Sequence, residues 1–123
     1  MKKYNFIYTD EVINCHSEQD LAVYINPNIH SKQDLLEWYA TNLNFPKYFS
    51  FNWDSFQDCL RGLEWIKQKR VLLVHKGVPK LSHEDIKNYI DILNVAVDSW
   101  KPEEYHELNV IFPVGCKSVL DKL

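Results

Sequence analysis

Four consecutive apolar residues, Val71-Leu72-Leu73-Val74, constrain the fold more than any other feature of the chain. The run is too short for a helix, and its lack of polar alternation marks a strand covered on both faces, as in a mostly parallel sheet. Two further short runs, Leu21 to Ile25 and Leu108 to Phe112, are rich in β-branched or aromatic residues and read as its companions, with the middle run at the centre.

Helical patterns fill the intervals. Ser31 followed by Asp34 resembles a capping box, and Leu36, Tyr39 and Leu43 then recur on one face until Pro46, which predicts a helix over about 32–43. Asn52 is placed to cap a second helix whose buried stripe is Phe56, Cys59, Leu60 and Leu63, with Asp54, Asp58 and Arg61 pointing elsewhere. Ser82 with Asp85 opens a third, with Ile86, Tyr89, Ile90, Leu93 and Val97 inside, Lys87, Asp91 and Asp98 outside, and an end near Trp100 and Pro102. With right-handed crossovers this order predicts an α/β fold, a three-stranded parallel sheet packed with three to four helices over residues 21–123. Residues 1–20 form an extension of the same domain. There Tyr4, Phe6 and Tyr8 alternate, which leaves room for an added edge strand, although Asn5, Ile7 and Thr9 make an imperfect polar face.

At 123 residues, with three glycines, five prolines and no repeat, the chain has the size of one domain and no linker. Fourteen Lys and Arg against seventeen Asp and Glu give a net charge of −3. The excess lies in residues 1–62, with five basic and eight acidic residues, while 63–123 carries nine of each. A surface that binds phosphate backbones needs clustered cations, so direct nucleic-acid binding is not expected. The one basic cluster, Lys67, Lys69 and Arg70, reads as a solvated lead-in to a strand. Cys15, Cys59 and Cys116 match neither a disulfide framework nor a zinc site, and with no apolar run of signal-peptide or membrane-span length the expected compartment is the cytoplasm. No cofactor or metal is expected.

Residues 46–60 carry the functional signal. Asp54 and Asp58 stand four apart, which stacks two like charges on one helix face at some cost to the helix. Asp54, on the first turn, also suits the helix dipole, whereas mid-helix Asp58 lacks that explanation and is left with solvation or pairing to Arg61. A paired negative charge beside Tyr48 and Trp53 suits a positively charged partner. Catalysis is the weaker reading. Cys15 and His16 are adjacent and so do not readily face each other, Cys59 lies on a buried stripe, and no third ligand accompanies the aspartates.

From Ala22 to Leu63, the series Ala-Val-Tyr-Ile-Asn, then Ser31 to Leu35, Phe-Pro-Lys-Tyr-Phe and Asn-Trp-Asp-Ser-Phe-Gln-Asp-Cys-Leu resembles the barstar family of ribonuclease inhibitors. The resemblance implies no enzymatic activity. It implies an immunity or antitoxin-type inhibitor, monomeric when free, that blocks a small basic ribonuclease, with Asp58 in the place of RNA phosphate, Asp54 as second contact, Tyr48 and Asn52 on the approach and Glu84 as a peripheral contact. Gln57 stands where the family often has Trp, Arg61 lies close enough to Asp58 to blunt the acidic face, and Ser50 replaces a usual Gly, so that a left-handed backbone there would be strained. These departures bear on which nuclease is bound. The alternative is an interaction module of the same fold with a non-nuclease partner.

Overall fold

The three apolar runs form strands in the computed structural model, which describes residues 4–11, 18–99 and 107–123. In chain order the elements are β1 (Ile7–Tyr8), β2 (Asp20–Ile25), α1 (Lys32–Asn42), α2 (Trp53–Gly62), β3 (Arg70–His75), α3 (His83–Ser99), β4 (Glu107–Phe112), a 3-10 turn (Val114–Cys116) and α4 (Lys117–Leu120). The sheet is entirely parallel, in the order β1-β4-β3-β2. Among the described residues it therefore has four strands rather than the expected three. The fourth is the short N-terminal one, because Tyr4, Phe6 and Tyr8 turn toward the core while Ile7 faces the other way, opposite Ile111. Cys15, His16, Trp100 and Pro102 lie outside the described residues.

The period of two in each strand decides which residues meet the helices. Val23 and Ile25 of β2, Val71 and Leu73 of β3 and Val110 and Phe112 of β4 share one face and join the buried stripes of α1, α2 and α3 in a single core. On the opposite face Leu72, Val74 and Ile111 form a smaller cluster with Ala22, made of strand residues alone. Both faces of β3 are thus buried, as its sequence requires, but the core helices pack on only one of them. Arg70 leads into β3 exposed and paired with Asp20 at 2.9 Å, and Lys67 and Lys69 are solvated.

The helix starts follow the sequence. Ser31 Oγ accepts from Asp34 N–H and Ser82 Oγ from Asp85 N–H, each at 3.1 Å, which satisfies amide groups that have no partner inside the helix. Leu36, Tyr39 and Leu43 are buried as expected of the α1 stripe.

A buried hydrogen-bonded chain ties these layers together. Nδ1 of His75 lies 3.1 Å from the carbonyl of Ile111, its Nε2 2.6 Å from the hydroxyl of Tyr89, and that hydroxyl 2.5 Å from the hydroxyl of Tyr39. A carbonyl only accepts, so Nδ1 carries the proton and Nε2 accepts; Tyr89 donates to His75, and Tyr39 donates to Tyr89. The chain joins α1, α3, β3 and β4, and the imidazole stacks on Phe112 at 4.0 Å between centroids. Burial lowers the His75 pKa from 6.5 to about 3, although its backbone hydrogen bonds oppose the shift, and burial raises those of both tyrosines.

Between these two His75 values the unfolded chain binds a proton that the folded chain refuses, so stability falls as pH drops below 6.5 and the loss is complete near the folded value. At pH 5 the loss amounts to about 2 kcal/mol. Urea midpoints measured at pH 7, 6 and 5 should decline for the native chain and much less for His75→Gln; equal slopes would remove His75 as the cause.

Candidate protein-binding site

The site is built on α2 and the loop before it. Asn52 is extended (φ −134°, ψ 169°) and its side-chain oxygen accepts from Ser55 N–H at 2.7 Å, which starts the helix as the sequence predicts. Ser55 Oγ in turn accepts from Ser50 N–H at 3.0 Å, and Ser50 Oγ donates to the carbonyl of Tyr48, so the loop is tied to the first turn. Leu63 closes the far end in the left-handed region, its N–H reaching the carbonyl of Cys59.

Packing then decides which way α2 faces. Phe56, Cys59 and Leu60 are fully buried, and the Phe56 ring lies 4.7 Å from that of Tyr39 and 6.1 Å from that of Tyr89. Cys59 is a core residue, as its position on the stripe implies. With this side held inward, Asp54, Asp58 and Arg61 fall within an arc of about 60° on the outer side. All three are exposed. Asp58 is neither buried nor locked into an internal ion pair: among the described residues no hydrogen bond or ion pair engages it, and Arg61 does not close on it. Asp58 and Arg61 instead line, with Gly62 and Ser99, one shallow depression of about 360 Å³ where α2 meets the end of α3.

The loop aromatics divide into an inner and an outer set. Phe45 and Phe49 pack on each other at 4.9 Å, Phe45 also meets Tyr39 and Trp65, and Trp65 Nε1 donates to the carbonyl of Leu43 at 2.7 Å. Tyr48, by contrast, is 62% exposed. Its hydroxyl pKa is raised by local desolvation first, then by Cys59, Glu64 and, more weakly, Asp58. Trp53 is half-buried against Phe56, with Lys32 Nζ 5.3 Å from its ring centroid.

The predicted residues therefore divide. Asp54, Asp58 and Arg61 share one exposed helix face, Tyr48 and Asn52 are exposed on the loop that leads into it, and Gln57 is half-buried. Glu84 is exposed but stands on the first turn of α3, about 22 Å along the helix axis from Ser99 at the depression. The left-handed residues of the loop before α2 are Asn44, at φ 52°, and Phe51, at φ 54°, not Ser50. Phe51, Gly62 and Ser99 are the surface members that sequence reasoning missed: periodicity says nothing of a loop residue, and Ser99 joins only through the packing of α2 on α3. Among the described residues no group of three or more His, Cys, Asp or Glu side chains could hold a metal ion.

Because Asn52 satisfies an otherwise open amide of α2, Asn52→Ala should cost about 1 kcal/mol of stability, whereas Asn52→Asp, which keeps the acceptor, should cost far less. Urea denaturation of the two variants checks this.

A search of curated proteins finds no match to the chain. Residues 21–112 match the family model described as Barstar (barnase inhibitor). That match spans well over half of the sequence and takes in all of α1, α2, β3, α3 and β4 as well as nearly all of β2, and the chain belongs to the barstar family.

Proposed function

We infer that the chain inhibits a small basic ribonuclease by closing its cationic active site with α2, Asp58 standing in for an RNA phosphate and Asp54 making the second contact. The observation that carries this reading is the state of Asp58: exposed, in mid-helix beyond the dipole-stabilised first turn, and, among the described residues, engaged by no internal cation. Family membership supports the inhibitor class and a ribonuclease as partner in general.

A ribonuclease site holds Arg, Lys and His groups that stabilise phosphate charge. A carboxylate offered on a packed helix meets them with charge-assisted, potentially bidentate hydrogen bonds, and no chemistry is required of the inhibitor. Opposite charge also steers the encounter. Tyr48 and Asn52 flank the approach, Gln57 and Arg61 adjust the fit to one nuclease, and Glu84 serves only a contact at the periphery. The role is of the immunity type, exercised in the cytoplasm against a nuclease that the cell must tolerate. Arg61 beside Asp58 favours a partner of mixed charge, and with it the competing reading of an interaction module bound to a non-nuclease protein.

Inhibition assays with barnase, the ribonuclease named in the family description, and with any basic nuclease encoded beside this chain test the reading. Stranding a buried interfacial charge generally costs about 2–5 kcal/mol, so Asp58→Ala should weaken inhibition by about 30-fold or more while Asp98→Ala changes it little. Affinity should also fall as salt rises from about 0.1 M to about 1 M, where the screening length shrinks from about 10 Å to about 3 Å. Equal effects of the two substitutions would remove Asp58 as the anchor, and no inhibition of either nuclease would leave the module reading.

A further inference from the structure

Phe51 carries two unfavourable features at one position. It is a non-glycine residue in the left-handed backbone region, at φ 54°, where Gly or Asn would sit with less strain, and its side chain is 43% exposed. Neither feature serves the core. The residue is nonetheless firmly held: its ring leans on Phe49 at 4.7 Å, Ser50 before it is bonded to Ser55 and Tyr48, and Asn52 after it is fixed as the cap of α2. A strained, exposed aromatic on a well-tied loop is presented outward by the fold rather than left loose.

Its position says what it is presented to. Phe51 directly precedes the cap of α2, three residues before Asp54 and on the same loop as exposed Tyr48, so an exposed apolar group stands at the N-terminal end of the helix that carries the acidic face. The inhibitor reading gives the acidic face a cationic surface as its partner. We propose that Phe51 is an apolar anchor of the same interface, inserted into a hydrophobic recess that borders the cationic cleft of the ribonuclease, and that it sets which nuclease the chain accepts. The proposal rests on the inhibitor reading above. Buried aromatics commonly dominate such interfaces, and their contribution, unlike that of a charge, is not screened by salt.

Barnase is the probe, with the native chain, Phe51→Gly, Phe51→Tyr and Asp58→Ala compared by inhibition constant at low and high salt and by thermal midpoint. Phe51→Gly should inhibit at least about tenfold more weakly, by the same factor at both salt concentrations, with a thermal midpoint equal to or above native because glycine relieves the backbone. Phe51→Tyr should stay within about threefold of native, and the loss in Asp58→Ala should shrink at high salt. If Phe51→Gly inhibits like the native chain while Asp58→Ala does not, the anchor is overturned and the inhibitor reading stands. A lowered thermal midpoint in Phe51→Gly would make the ring a packing element and also overturn the proposal. If the native chain does not inhibit barnase, the inhibitor reading fails for this nuclease and the anchor falls with it.

Discussion

The buried chain from Tyr39 through Tyr89 and His75 to the Ile111 carbonyl is the constraint on which the rest of the structure depends. It is the point where two helices and two strands are joined by direction-specific bonds instead of by apolar contact alone. Hydrogen bonds inside a core contribute modestly when made and cost more when broken, because the stranded group is not rehydrated. Any shift of α1 or α3 along the sheet would leave a phenol or an imidazole unpaired in an apolar interior. Register between the helix layer and the sheet is thereby fixed.

That fixed register is transmitted to the surface through Phe56. Its ring sits against both tyrosines of the chain, so α2 cannot rotate without disturbing them, and the outward direction of Asp54 and Asp58 is settled from within. The loop receives similar treatment from Phe45, Phe49 and Trp65. Side chains that are already ordered lose less entropy on association, and more of the interaction energy is then available for affinity.

The acidic face also shows how packing relieves a local conflict. Asp54 and Asp58 repel one another mildly, and nothing within α2 neutralises Asp58. The strain is small beside the burial of Phe56, Cys59, Leu60 and Leu63, so tertiary packing keeps the helix while its outer face remains unfavourable in isolation.

The sequence by itself determined three of the strands, the three long helices with their caps, and the family. Short apolar runs, hydrophobic stripes and capping residues act over a few positions and do not depend on the rest of the chain: Asn52, Ser31 and Ser82 cap where their spacing says, and the stripes of α1 and α2 are buried as read. It also placed the two aspartates on one face, since helical geometry alone does so. Only the tertiary structure decided that β1 joins the sheet beside β4, that His75 meets Tyr89 and through it Tyr39, that Ser99 borders Asp58, and that left-handed backbone falls on Asn44 and Phe51 in the loop before α2. These are meetings between distant segments, or the path of a loop held by its neighbours. Their energies arise from contacts that no local window of residues contains.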